Sequence, residues 1–486
     1  MMKTTFIFRC LSLGLLCSIL SCGPTDPQPP EPQFPLTNQF DHQVYWKWNE
    51  LFKKLDRNAS GYRPCPAPRA LAYLGLSAYE SVLPGMPFHQ SLAPVYGYNL
   101  PQAASNLEYI WPVCVSESYA YLLEKLFPHL QNSPNPAAAA AFAEIAELRQ
   151  YFHGEFAEGT TKTTLSRSEK FGQEVAAAIY TWSQTDIAGH NAFLDSQPSN
   201  YSPPAGPGNW QSTYPDYQKA FFPYFGGART FAMQQGELIC SPPIPYSELP
   251  SAPYYAQAFE TYNTVNAIND PPPGLEDWAS QQYWISEFWS DDNLYSTFSP
   301  GTRWISIADQ IIAEEDLDLA ICAALYAKLG LALNDATVAV WRSKYFYNVE
   351  RPVSYIRQVF PVDYPTAGNW SPRLNNPVNG ATGITPAYPA YPSAHAGFGG
   401  AAARILASFL ENTPGHQGNY VFTDLSHQYE INFIGTPRQF ASIIQMGEEC
   451  AYSRIPLGVN CRMDCEVGLD VGRLAAQRVL ELPWKK

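Results

Sequence analysis

Apolar residues recur at three- and four-residue spacing along most of this chain, and that period fixes what it can become. Between Val44 and Leu55 the apolar positions are Val44, Trp48, Leu51, Phe52 and Leu55, which draw one stripe down one side of a helix. Leu71, Leu74 and Ala78 repeat the pattern, as do Ala138, Phe142, Ile145 and Leu148. The longest helical candidate runs from Asp316 to Phe346, opened by the acidic cluster Glu314, Glu315 and Asp316. Acids at a helix start answer its orphan N–H groups and dipole. Further helices are expected near 104–127, 165–184, 301–314, 394–411, 436–452 and 463–481. Nothing alternates as a run of strands does, so the expected fold class is all-α.

From about Asp186 to Pro253 the period lapses into proline, glycine and aromatics, as in NYSPPAGPGNW and FFPYFGGART. Trp210, Tyr214, Phe221, Phe222 and Tyr224 are too apolar for a free linker, so this is read as an ordered excursion lying on the helices. It separates an N-terminal helical half, 41–285, from a C-terminal half, 286–486. Gly397-Phe398-Gly399-Gly400 lacks the preceding strand and the spacing of a dinucleotide loop; small residues in a tightly packed helix are the better account. A net charge of -14 with 15% charged residues leaves no basic stripe to follow a phosphate backbone, which excludes nucleic acid as a partner.

Lys3 and Arg9 flank an N-terminal segment followed by CLSLGLLCSIL, an apolar run shorter than the roughly 20 residues that span a bilayer. It stops at Ile19-Leu20-Ser21-Cys22-Gly23, which resembles a bacterial lipobox, in which the small residue permits cleavage and the Cys22 thiol is acylated. Residues 1–21 are thus read as a lipoprotein signal peptide. Residues 22–40, with Pro24, Pro27, Pro29, Pro30, Pro32 and Pro35, read as a proline-rich tether. The expected location is that of an exported bacterial lipoprotein, touching the membrane through its N-terminal lipid only, on the periplasmic or cell-surface side. Cys65, Cys114, Cys240, Cys322, Cys450, Cys461 and Cys465 are odd in number and cannot pair completely. Neither a histidine nor a second close cysteine pair completes a zinc set around Cys461 and Cys465. They are read as packing thiols with room for one disulfide.

Three segments of the C-terminal half carry candidate chemistry. In Lys344-Tyr-Phe-Tyr-Asn-Val-Glu-Arg351-Pro352, seven positions make about two helical turns, so Lys344 and Arg351 are expected on one helix face that Pro352 ends. Two such cations can converge on one tetrahedral anion. In Pro392-Ser393-Ala394-His395, Ser393 is a natural N-cap, the first-turn N–H groups make an anion site, and His395 stands where it can exchange a proton with the anion. In Ser453-Arg454-Ile455-Pro456-Leu457-Gly458-Val459-Asn460-Cys461-Arg462-Met463-Asp464, Pro456 suits a first helical turn, which stacks Asn460 and Asp464 one turn apart with Arg454 just ahead.

In this order the segments resemble the signature K-x6-R-P, P-S-G-H and S-R-x3-G-x-H-x3-D of the vanadium-dependent haloperoxidase and type-2 phosphatidic acid phosphatase superfamily. Trp341, Asn334-Asp335-Ala336 and the early run ALAYLGLSAYESVLPGMP resemble its bacterial haloperoxidase-like branch. The resemblance implies two helical bundles with one oxyanion site in the second. Lys344, Arg351 and Arg454 would neutralise vanadate or phosphate, the Ser393 hydroxyl and the Ala394 N–H would donate to it, and His395 would serve as acid or base. Ala394 replaces the family's glycine, a change a backbone donor tolerates.

The other departure touches the chemistry. The resemblance implies that the third-motif histidine is the axial vanadium ligand in haloperoxidases and the nucleophile in phosphatases, oriented by the acid four residues later. Asp464 is present, but Asn460 occupies the histidine's place. A carboxamide nitrogen has no available lone pair for vanadium or for a phosphoryl group. Cys461, adjacent in sequence, is expected about 100° round the helix and is a poor substitute. Asn460 is expected to turn its NH2 group toward Asp464 or the ligand. The expected function is a haloperoxidase-like or acid phosphatase-like lipoprotein that holds vanadate or phosphate with weakened or altered catalysis. The alternatives are a non-catalytic pseudoenzyme that binds an oxyanion or phosphorylated ligand, and a surface glycan-binding lipoprotein. Arg303, in a PGTRW segment, is a further place where the pocket can differ.

Overall fold

Helices occupy most of the places the apolar spacing assigns them in the computed structural model, which describes residues 34–411, 420–430, 433 and 435–486. The signal segment and Cys22 lie outside the described residues. Helix α1 (Gln43–Asn58) buries Val44, Trp48, Leu51, Phe52 and Leu55, the stripe seen in the sequence. α2 (Pro66–Val82) is buried along its whole length. After the single turn α3 (Ala93–Tyr96) come α4 (Trp111–Leu126), α5 (Pro136–Ala157) and α6 (Lys162–Ser183). Asn135 and Thr161 cap the last two by accepting from the N–H groups of Ala137 and Thr164, at 3.0 and 3.1 Å.

Past the short α7 (Ile187–His190), residues 191–252 hold no α-helix, only isolated 3-10 turns and one antiparallel bridge from Asn209 to Val349. Trp210 and Phe222 are buried under this excursion, whereas Tyr214 and Tyr224 face solvent. Two helices then appear that the spacing does not predict, α8 (Pro253–Asn269) and α9 (Glu276–Phe288). The buried face of α8 is built from Tyr254, Tyr255, Thr261 and Tyr262 with few aliphatics, so its hydroxyl-bearing residues hide the period.

The rest is α10 (Pro300–Glu314), α11 (Leu319–Tyr347), α12 (Pro352–Val359), α13 (Ala394–Glu411), α14 (Ile443–Tyr452) and α15 (Arg462–Leu480). The cluster Glu314, Glu315 and Asp316 does not open α11. It ends α10, Asp316 turns at φ 46°, and Asp318 is the cap, accepting from Ile321 N at 2.9 Å. The helix expected from 436 starts only at Ile443, because Arg438–Phe440 pairs antiparallel with Phe422–Asp424 as a two-stranded ribbon. All seven cysteines among the described residues are free, so the disulfide left open by the sequence is absent there.

Helix α11 joins the two sets of helices. It lies against α2, where a Cβ on Gly75 would stand 2.6 Å from the Tyr326 carbonyl oxygen and one on Gly330 2.5 Å from that of Leu71. It also packs on α13 and α15. One apolar core therefore runs from Trp48 through Leu74 and Leu329 to Leu406.

Candidate oxyanion site

The site lies where the C-terminal end of α11 meets the N-terminal ends of α13 and α15. The N–H of Ser393, just before α13, donates to the Asp464 carbonyl in the first turn of α15 at 2.8 Å. Gly468 permits that approach, since a Cβ there would stand 2.5 Å from the Ser393 carbonyl oxygen. Two positive helix ends are thus set side by side.

Lys344 and Arg351 do not share a helix face, contrary to the expectation from their spacing. α11 ends at Tyr347, Asn348 is left-handed at φ 52°, and Arg351 is the N-cap residue of α12, with Pro352 opening that helix rather than closing the previous one. The two cations meet on another segment. Lys344 Nζ donates to the carbonyls of Pro389 and Ala390 at 2.8 and 3.0 Å, and Arg351 Nε donates to that of Tyr388 at 3.0 Å. Both charges lie 5.0 Å from the Tyr388 ring centroid, and Arg351 Nη1 reaches the Val459 carbonyl at 2.9 Å.

Arg454 is held as a fork by Asp292, with both N···O distances 2.9 Å. Its Nη1 lies 3.4 Å from His395 Nε2, which is itself 3.0 Å from Asp291 Oδ1. A carboxylate only accepts, so the Asp291 contact places a proton on His395 Nε2. Asp291 also faces Arg303 Nη1 at 3.5 Å, and the Arg303 guanidinium lies against both the Phe288 and Trp289 rings and pairs with Asp424 of the ribbon at 2.9 Å. Sequence reasoning missed Asp291 and Asp292. The signal for them was electrostatic: buried arginines demand carboxylates, and the SDDN run stands outside any periodic segment. Ser393 sits ahead of α13 and accepts a long 3.4 Å bond from Ala396 N, and Ala394 begins the helix with an orphan first-turn donor.

Asn460 and Asp464 are not stacked on one helix either, although they touch. Pro456 lies in a turn, Asn460 precedes α15, Cys461 is that helix's N-cap residue, and Asp464 Oδ2 accepts from Cys461 N at 2.8 Å and from Asn460 Nδ2 at 3.0 Å. Asn460 Nδ2 also donates to the Ala390 carbonyl at 2.9 Å. Both partners are pure acceptors, which fixes the amide orientation and uses both its hydrogens. The NH2 group therefore meets Asp464 as expected and has nothing left for a ligand; only the carbonyl oxygen remains.

Several buried polar atoms lack a protein partner. Arg351 Nη2 and Arg454 Nε are such donors, and Asp464 Oδ1 is such an acceptor. Burial pulls the Lys344 ammonium well below its ordinary pKa, with Arg351 and Arg454 acting the same way against Asp464. Burial raises Asp464 despite its hydrogen bonds from Asn460 and Cys461 N. Burial also works to raise Asp292, but Arg454, His395 and Arg351 outweigh it and hold that carboxyl below the ordinary range. Unpaired donors and a destabilised ammonium are what a tetrahedral oxyanion would compensate. No imidazole faces them from Asn460, so the donor set suits an anion held by charge and hydrogen bonds and offers no nitrogen bond to vanadium there. Asp292 and Tyr388 also line a cavity of ≈ 330 Å³ shared with Arg63, Phe221 and Thr385.

Residues 324–483 match the family described as the VCPO second helical-bundle domain, a span that contains every residue of the three motifs. The chain is 22% identical to the vanadium chloroperoxidase of Curvularia inaequalis, over 91% of this chain and 82% of that one. Among solved structures, the first bacterial vanadium-dependent iodoperoxidase superimposes with a TM-score of 0.72 at 24% identity, covering 91% of this chain and 96% of the other. The holo form of a bacterial vanadium-dependent chloroperoxidase gives 0.56 at 14% identity, covering 88% and 95%. These likenesses agree with the all-α fold.

Proposed function

We propose that the chain is a member of the superfamily of the vanadium-dependent haloperoxidases, as the match of its second bundle and its likeness to a vanadium chloroperoxidase support, and that it is an exported lipoprotein whose second bundle holds phosphate or vanadate without a covalent or coordinate bond to the protein. The observation that carries this reading is the convergence of Lys344, Arg351 and Arg454 from three separate elements, with buried donors left over on Arg351 Nη2 and Arg454 Nε.

In this reading the three cations and the Ser393 and Ala394 donors grip the oxyanion. His395, steadied by Asp291, passes a proton to or from the bound group or a water beside it. Asn460 stands at the position of the histidine that would otherwise bond to vanadium or accept the phosphoryl group. Vanadate, when bound, would supply the site for peroxide activation; because Asn460 offers no nitrogen lone pair to hold it, halide peroxidation is expected to be weak or absent. Phosphomonoester cleavage, if it occurs, uses water as the nucleophile.

A second reading, a pseudoenzyme that binds a phosphorylated ligand without turning it over, draws support from the Asn460 amide, both of whose hydrogens are used by the protein. Two assays on the purified protein separate the readings: bromide oxidation with orthovanadate and peroxide, and hydrolysis of a phosphomonoester, each beside calorimetric titration with phosphate. Phosphate binding with slow hydrolysis supports the first reading, binding with neither activity supports the second, and no phosphate binding defeats both.

A further inference from the structure

A second cavity lies at the other end of α11 and is built differently. It encloses ≈ 560 Å³, within the range of small-molecule sites, about 300–1,000 Å³. Its walls are apolar, from Met86, Ile321, Leu325, Ile405 and Leu480, and Phe88 at its edge is 77% exposed. Lys328 and Lys485 stand at one end, and neither makes an ion pair among the described residues. Lys328 lies 5.3 Å from the Trp484 ring centroid, and burial together with Lys485 depresses its ammonium. Asp318, the α11 cap, lines the opposite end, ten residues or about 15 Å down the helix from Lys328. Cations are thus gathered at one end of an apolar trough on a chain of net charge -14.

We propose that this trough binds a free long-chain fatty carboxylate, its head on Lys328 and Lys485 and its tail along α11 toward Asp318. Cations at one end only, with the Asp318 carboxylate at the other, suit a single-headed anionic amphiphile in one orientation, and an unpaired ammonium at the rim of apolar walls is what a carboxylate head would compensate. Lys344 lies sixteen residues beyond Lys328, about 24 Å along the same helix, so this trough is separate from the oxyanion site and does not rest on the reading given for it.

Calorimetric titration of the full chain with dodecanoate tests the proposal. The expected result is saturable binding of one molecule, unaffected by inorganic phosphate, at least tenfold tighter than that of dodecan-1-ol. Lys328→Met, which keeps the packing on Trp484, should weaken it at least tenfold, and Ala324→Trp, which fills the trough, should abolish it. Circular dichroism melting checks that each variant folds, and the comparison of dodecanoate with dodecan-1-ol stands even where one does not. Equal affinity for acid and alcohol, or affinity untouched in a folded Lys328→Met, would overturn the proposal. Binding only to anionic phospholipid vesicles, with none to dodecanoate, overturns it as well.

Discussion

In the proposed function the chemistry turns on Asn460, whose neighbours are those a coordinating imidazole would use. Asp464 already accepts from the side chain at 3.0 Å, and the same hydrogen bond to an imidazole there would fix its tautomer and raise its basicity. Asn460→His should therefore raise vanadate affinity and give measurable bromide oxidation where the natural protein is expected to give little, read by calorimetry and by a halogenation assay. Robust vanadium-dependent turnover by the natural protein would contradict the argument. Arg454→Ala should weaken phosphate binding by about 1.5–3 kcal/mol, the worth of one charge-assisted hydrogen bond, or roughly ten- to a hundredfold. At this scale local spacing misled, since Lys344 and Arg351 share no helix face, and it was the order of the three motifs that grouped residues as far apart as Lys344 and Arg454, which do act on each other electrostatically. Neither spacing nor order revealed Asp291 and Asp292, which reach the site from a loop more than a hundred positions before His395 and Arg454 in sequence.

Among elements, helices with an aliphatic period were legible, whereas α8, with its tyrosine face, and the Arg438–Phe440 strand were not. Arg438 is clasped by Glu449 of α14, a tertiary pairing that no local propensity reports. The break at Asn348 was equally hidden, since its left-handed turn satisfies the end of α11 and lets two helices supply what one had been expected to supply. The small residues GFGG, by contrast, are where close packing predicted them. A Cβ on Gly400 would stand 2.4 Å from the Leu469 carbonyl oxygen, a backbone atom that cannot yield cheaply. Gly400→Ala should destabilise the protein by about 1–3 kcal/mol, seen as a lower denaturation midpoint. Gly154→Ala on α5, where an added Cβ meets nothing within 4 Å, should be neutral or stabilising by roughly 0.5–1 kcal/mol.

For the whole molecule, the division into two halves was drawn at the proline-rich excursion, yet α11 ties the two sets of helices into one core. The lipobox reading predicts that a fatty-acid probe labels the cellular protein and fails to label Cys22→Ala; labelling that survives the substitution defeats it. Stability should follow Lys344 on the alkaline side, below the ordinary tyrosine range. Its folded pKa lies below the unfolded value of 10.5, so the unfolded chain holds the extra proton in that window and stability rises with pH across it. Saturating phosphate should lift the folded value and flatten the slope, measured as denaturation midpoints with and without the anion. The carboxylates around the cradle carry a last consequence, in the stoichiometry of protons. Lys344, Arg351 and Arg454 stand against Asp291, Asp292 and Asp464, while Arg303 and Asp424 pair beyond them, so three cations already face three carboxylates and a bare dianion would enter without a matching charge. A divalent phosphate should then draw a proton from the buffer as it enters, and the Asn460 carbonyl oxygen is an acceptor for the hydroxyl so formed. Binding enthalpies measured in buffers of different ionisation heat should diverge by close to one proton per site, and identical values across buffers would show that the dianion enters bare.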